Sequence, residues 1–335
     1  MDKYVVILAA GRGSRMQSRD PNHSKVSYPL LEKPLVNYVL DAVKGINPTK
    51  IVTVVGFGGE VTKSLVEKDS EVVWQRVING TGGAVLQAKE LLADKKGLTL
   101  VVCGDTPLIT TETINNVFRI HEKTGDSLTI VSMVLENPRG YGRIVREYKT
   151  NKVIAIREDR DCSEIEKDID EVNAGMYVFD NEMLFKYLDK ITPDNAQHEY
   201  YLTDLVDMFV QDGLRVGSYI VEDAVEMFGI NDRVQLAYAA KVIRKRKNHK
   251  LMLSGVSIED PESTYISPEV EIGRDTIIRA NTHILGNSKI GENNIIGPNC
   301  YLKDVTVGND NEILDTWLEN EEVGNGQHLF NVKKR

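Results

Sequence analysis

The chain holds only three cysteines, Cys103, Cys162 and Cys300, among 335 residues. Their scattered spacing fits neither a disulfide framework nor a zinc site. No apolar run approaches the length needed to cross a bilayer, and the opening Met-Asp-Lys lacks the pattern of a secretory signal. A reduced, cytoplasmic setting is therefore expected. A surplus of positive charge is also lacking, since 41 Lys and Arg stand against 50 Asp and Glu for a formal net charge of −9. General nucleic-acid binding wants a basic face. Neither a nucleic-acid nor a membrane partner is expected, so a polyphosphate ligand would have to be drawn in locally by placed Arg, Lys or metal.

What is present fits two domains, because the length exceeds that of one ordinary domain and leaves room for a sizeable core. A hydrophobic content of 41% with 27% charged residues is the profile of a soluble globular protein. The most informative segment is Leu8-Ala9-Ala10-Gly11-Arg12-Gly13-Ser14-Arg15-Met16, followed by Lys25. It directly follows Tyr4-Val5-Val6-Ile7, an apolar run suited to a buried parallel strand. Glycines let backbone approach an anion closely, and N–H groups at a following helix start can point at it. A dinucleotide fingerprint would place a third Gly or Ala where Arg15 stands. A guanidinium there suits a triphosphate that must lose charge during reaction. The plainer alternative is a glycine-rich strand-to-helix turn that binds nothing.

Strand-like and helix-like segments alternate through the first ~225 residues, as in a doubly wound sheet. Strands are expected at 4–9, 50–55, 71–74, 98–103, 127–134 and 175–179, with helices at 35–43, 59–67 and 83–92. A further strand at 153–157 should follow a turn at 148–151, and 232–253 suits a long helix. Its basic residues (Lys241, Arg244, Lys245, Arg246, Lys247, Lys250) read as a solvated face or linker rather than a nucleic-acid site. After it the period changes. Ile266, Ile272, Ile278, Ile284, Ile290, Ile296 and Leu302 recur every six residues. The register then slips to Val307, Ile313, Leu318, Val323 and Leu329. That is the pattern of a parallel β-helix, and at ~18 residues per coil about four coils fit.

Several residues carry chemistry. The apolar strand ending at Cys103-Gly104-Asp105 should bring Asp105 to the same sheet edge as the glycine loop, where open α/β sheets bind ligands. A lone carboxylate there can hold Mg²⁺, which takes one or two protein oxygens plus phosphate and water, or it can simply cap a turn. Asn231 in Gly229-Ile230-Asn231 can cap the long helix, supply a neutral metal ligand, or do both. Gln75, five residues before Gly80-Thr81, can read a pyrimidine edge or be a plain surface amide. Gly142, Glu158 and Asn173 could together hold sugar hydroxyls and an amide, though each alone is read as structural.

With these residues assembled, the chain resembles the bifunctional bacterial UDP-N-acetylglucosamine pyrophosphorylase/glucosamine-1-phosphate acetyltransferase family over almost its whole length. The likeness rests on LAAGRGSRM with Lys25, Gln75 with Gly80-Thr81, GDTPL from Gly104, YGRI from Tyr141, and Asn173-Ala174-Gly175. It is narrowed by NAQHEYY from Asn195, Gly229-Ile230-Asn231 and the hexapeptide tail. The fold implied is α/β: a Rossmann-like nucleotidyltransferase with a mostly parallel doubly wound sheet, then a linker helix and a short left-handed parallel β-helix. The domains would be 1–230, 231–254 and 255–335.

By that resemblance Asp105 and Asn231 would hold Mg²⁺, while Arg15 and Lys25 would act on the UTP phosphates. Leu8, Ala9, Ala10, Gly11 and Gly13, with Gln75, Gly80 and Thr81, would hold the nucleotide. Gly142, Glu158 and Asn173, beside Cys103, would hold N-acetylglucosamine 1-phosphate. The implied reaction is Mg²⁺-dependent uridylyl transfer that yields UDP-N-acetylglucosamine and pyrophosphate. Because the sugar phosphate is already an anionic nucleophile, none of the six histidines need serve as a base.

Some positions depart from the family pattern. Pro usually stands directly before the loop lysine, whereas here Pro21-Asn22-His23-Ser24 intervenes. Cys103 takes the place of a common Tyr, and His198 that of a usual Gly. The later coils and tail used for acetyl transfer do not precede Arg335, so no acetyl transfer is expected from this chain. The resemblance allows a homotrimer through the β-helix. Competing readings are a uridylyl- or thymidylyltransferase for another hexose 1-phosphate, a non-catalytic nucleotide-sugar-binding protein, and an NAD-dependent oxidoreductase. Arg15 and the lack of a suitable acid about 20 residues on argue against the last.

Overall fold

The computed structural model describes residues 1–20 and 23–334. Its contacts divide the chain into two units, Met1–Tyr28 with Pro34–Arg233, and Pro29–Lys33 with Val234–Arg335. In the first, continuous apolar segments form inner strands of a sheet, β1 (Lys3–Ala9), β4 (Lys50–Val55) and β6 (Leu98–Cys103), with β5 (Glu71–Trp74) at its edge. The short pair β2 (Pro29–Leu30) and β3 (Lys33–Pro34) is separate. The sheet is completed by β7 (Leu128–Val134), β8 (Arg143–Arg146), β9 (Val153–Arg157), β10 (Glu171–Asp180) and β11 (Val216–Ile220).

Strand order is β11-β7-β10-β6-β1-β4-β5, with β8 pairing β10 and β9. β1 runs parallel to both β4 and β6, whereas β10 runs antiparallel to β6 and β7. Because the chain leaves β1 to one side and later returns to the other, its carboxyl end is a topological switch point. Such crevices receive ligands.

Helices cover both faces, because successive strand side chains point to opposite sides. Val5 and Ile7 join one core with α1 (Leu35–Lys44) and α5 (Thr111–Thr124), while Tyr4 and Val6 join the other with α3 (Thr81–Leu86), α6 (Asn181–Leu188) and α7 (Asp204–Gln211). Helix α2 (Gly59–Val66) also belongs to this unit. The helix expected at 83–92 is broken into α3 and α4 (Lys89–Leu92). Strand β10 begins before the expected 175–179, and a bulge between Asn173 and Met176 lets it bend there.

In the second unit α8 (Arg233–Leu253) precedes a left-handed parallel β-helix of three sheets. Ile266 pairs Ile284, which pairs Leu302 eighteen residues on; Leu302 pairs Leu318 only sixteen on. The register slip in the sequence therefore reflects shortened corners, after Leu302 and again after Ile313. The core keeps its aliphatic column, because Ile278, Ile284, Ile296, Leu302 and Ile313 are fully buried. Corners repeatedly use Asn or Asp in the left-handed region, among them Asp275, Asn281, Asn293 and Asn299. These are the non-glycine side chains that tolerate it best. Glu32 joins this unit: it accepts from Gly286 N at 2.9 Å and pairs with Lys303 at 2.6 Å.

Candidate active site

The loop after β1 does not lead into an α-helix. Ser14–Met16 is a single 3-10 turn, flanked by Gly13 and Gln17 in the left-handed conformation. The expected row of N–H groups at a helix start is therefore missing, and cationic side chains provide the positive charge. Gly13 has φ +61°, and a Cβ there would lie 2.5 Å from Lys25 Cβ. Glycine at this position is what lets Lys25 pack beneath the loop. At Gly11 a Cβ would meet nothing within 4 Å, so the backbone there faces open space.

Four side chains from distant parts of the sequence converge beyond the ends of β1 and β6. Lys25 Nζ donates to Asp105 Oδ2 and, at 2.9 Å, to Asn231 Oδ1. Arg15 also donates to Asn231 Oδ1 at 2.9 Å. Two backbone bonds hold the acceptors in place: Gly104 N donates to Leu8 O at 2.9 Å, tying the end of β6 to β1, and Ile230 N donates to Asp105 O at 2.8 Å. Lys25 and Asp105 are only 14% and 16% exposed, so their attraction is weakly screened. Pro21 and Asn22, the inserted residues before Lys25, lie outside the described residues.

A second group lies along the rim. Gln75 is buried, and its Nε2 is committed to Asn79 Oδ1 and Gly80 O, both at 3.0 Å. Only its carbonyl oxygen remains to read a base. Gly80 adopts φ +105°, where a Cβ would strike Tyr200 O at 2.6 Å. The NAQHEYY segment thus packs directly on the Gly80-Thr81 loop, and Thr81 Oγ1 accepts from Leu202 N at 3.1 Å.

A third group gathers Gly142, Glu158, Asn173 and Cys103. Asn173 N donates to Gly142 O at 2.8 Å, and a Cβ on Gly142 would lie 3.4 Å from Glu158 Oε2. Glu158 Oε1 accepts from Thr203 Oγ1 at 3.1 Å, yet burial raises this carboxyl above its ordinary range. Cys103 Sγ sits 3.7 Å from Gly175 O, and burial, with Asp105 nearby, pushes its thiol up to about 12. It is an inert thiol. Beside Glu158 opens a cavity of about 760 Å³, lined also by Asp161, Asn195, Tyr201, Thr203 and Asp204. Asp204 is raised to about 6, chiefly by burial and then by Asp207. Spacing alone points to neither Thr203 nor Tyr177, whose hydroxyls contact Glu158 and Asn173.

The family model described as nucleotidyl transferase matches residues 4–258, and the bacterial transferase hexapeptide model (six repeats) matches 269–304. A bifunctional protein GlmU from Lactobacillus helveticus is 45% identical over 98% of this chain and 72% of its own length. Its counterpart from Geobacillus sp. is 46% identical over 96% of this chain and 70% of its own length. The chain belongs to the GlmU family. It is accordingly a nucleotidyltransferase with a hexapeptide β-helix, as the resemblance implied. This GlmU member carries the loop after β1 and the repeat region in one polypeptide. Among the described residues of this GlmU member no helix is long and apolar enough to cross a membrane.

Proposed function

We propose that this chain transfers the uridylyl group of UTP to N-acetylglucosamine 1-phosphate, releasing pyrophosphate. The observation that supports it most is the meeting of Lys25, Arg15, Asp105 and Asn231 at the switch point. A phosphate oxygen of the sugar 1-phosphate forms the new bond to the α-phosphorus of UTP, and the bond from that phosphorus to the bridging oxygen of pyrophosphate breaks. The nucleophile is already ionised, so the protein's task is to align two anions and offset their charge. Lys25 and Arg15 supply mobile cations at the α-phosphate and the departing pyrophosphate.

Asp105 and Asn231 would hold Mg²⁺. The residues fit such an ion: one carboxylate and one amide oxygen, both hard donors, already converge on a single cation, the Lys25 ammonium. Among the described residues no cluster of three or more His, Cys, Asp or Glu offers a competing metal site. When bound, the ion would neutralise charge building on the transferring phosphate. Lys25 would then turn from Asp105 toward the nucleotide phosphates. Gln75 Oε1 accepts the uracil N3–H, and Gly80 and Thr81 pack the base. Glu158, Gly142 and Asn173 hold the acetamido sugar.

The test is pyrophosphate release from UTP, N-acetylglucosamine 1-phosphate and Mg²⁺. Turnover should require all three and vanish in Asp105→Ala with the fold retained by circular dichroism. Near-normal turnover in Asp105→Ala would remove the assignment.

A further inference from the structure

Asn173 and Tyr177 lie four residues apart on β10, across the bulge. Asn173 Oδ1 accepts the Gly175 N–H at 3.0 Å. Since a backbone N–H can only donate, that bond fixes which way the amide faces. Nδ2 is thereby turned to Tyr177 Oη, to which it donates at 2.6 Å. The phenol oxygen is the acceptor in this pair, and its own proton points elsewhere. Among the described residues nothing accepts that proton, although Tyr177 is only 5% exposed. Buried hydroxyl donors are normally paired. Asn173 is half-buried, so the pair lies at the border of the core, within reach of the Glu158 and Cys103 side chains.

The neighbours describe the missing acceptor. Glu158 and Cys103 are the ionisable groups whose fields reach the phenol, and burial holds its proton far above the ordinary tyrosine range. It is a permanent neutral donor. Asn173 Nδ2 carries a second N–H beside it. Two neutral donors at one spot call for an uncharged carbonyl oxygen rather than a cation or another donor.

Building on the functional reading above, we propose that the Tyr177 hydroxyl donates to the acetamido carbonyl oxygen of the sugar phosphate. Tyr177 is then a specificity-determining residue of the sugar subsite. It selects an acylated amino sugar over the plain hexose, because a hydroxyl at that carbon does not reach the donor pair.

Tyr177→Phe removes one oxygen and keeps the ring in the core. Steady-state kinetics of this variant and of the unmodified protein should be compared with N-acetylglucosamine 1-phosphate and glucose 1-phosphate, each against UTP. The KM for N-acetylglucosamine 1-phosphate should rise about tenfold, the usual worth of one neutral hydrogen bond. The KM for UTP and the kcat/KM for glucose 1-phosphate should stay within about twofold, inside the scatter of such a term. An unmoved KM for the acetamido sugar overturns the proposal, as does an equal loss on both sugars, which marks a general packing effect. Failure of the unmodified protein to use N-acetylglucosamine 1-phosphate at all overturns the functional reading and this inference together, a result distinguishable from the other two.

Discussion

Lys25 Nζ bridges the Asp105 carboxylate and the Asn231 amide oxygen, which lies 2.9 Å away. One ammonium thus sits on both oxygens proposed to hold Mg²⁺. Lys25→Ala should lower kcat for pyrophosphate release by about 10²–10³, the range for losing one preorganised stabilising group. The same variant should bind Mg²⁺ more tightly without nucleotide, since the competing cation is gone. Isothermal titration reads this apart from turnover. Weaker Mg²⁺ binding would contradict the shared site.

Gly13 makes a second prediction about the same lysine. Gly13→Ala adds a Cβ 2.5 Å from Lys25 Cβ at a left-handed residue. The backbone penalty alone is about 1–2 kcal/mol, and the clash displaces Lys25. Activity should fall at least about tenfold, which is the same energy on the transition-state scale. Unchanged kinetics would show that Lys25 does not depend on the loop.

Asp204 should make stability depend on pH. Burial, and then Asp207, raise its pKa to about 6. The folded state therefore keeps a proton that the unfolded chain releases near pH 4. Stability is lost as pH rises from about 4 through about 6, and the full penalty applies above that. Asp204→Asn removes the penalty. Allowing for its partial solvent exposure, the variant should gain about 1 kcal/mol at pH 7.5 and nothing at pH 3.5. Equal gains at both pH values would contradict the assignment.

A polar ladder runs inside the β-helix. Asn311 N and Nδ2 both donate to Asn294 Oδ1 at 2.9 Å, while Asn311 Oδ1 accepts from Gln327 N at 2.7 Å. Asn311→Leu leaves Asn294 Oδ1 its backbone donor but strands the Gln327 N–H, at a cost of about 2 kcal/mol. Chemical denaturation followed by tryptophan fluorescence should register the loss.

The architecture was legible where physics leaves a strong periodic mark. Strands β1, β4 and β6 are buried on both faces, so they read as unbroken apolar runs. The β-helix betrays itself because each coil needs one aliphatic residue in a narrow core. Short mixed segments did not stand out. Strand β8 reads Arg-Ile-Val-Arg, and β11 carries no fully buried residue, so neither shows a clear pattern. The 3-10 turn after Gly13 was also hidden, because it depends on the close approach of Lys25.

The site was less legible than the frame. Lys25 stands 80 residues from Asp105 and 206 from Asn231. No local spacing links them, and only resemblance to a known family picked them out together. Tyr177 carries no signal beyond alternation in a buried strand. Its hydroxyl matters only through the Gly175 bond that fixes Asn173.

The identity of the two proposed substrates can be read in one assay. Pyrophosphate release should be measured with UTP and with dTTP across N-acetylglucosamine 1-phosphate, glucose 1-phosphate and galactose 1-phosphate. UTP with N-acetylglucosamine 1-phosphate should give the highest kcat/KM, by about tenfold or more, as one discriminating hydrogen bond allows. Equal or higher kcat/KM with glucose 1-phosphate, or with dTTP in place of UTP, would contradict it.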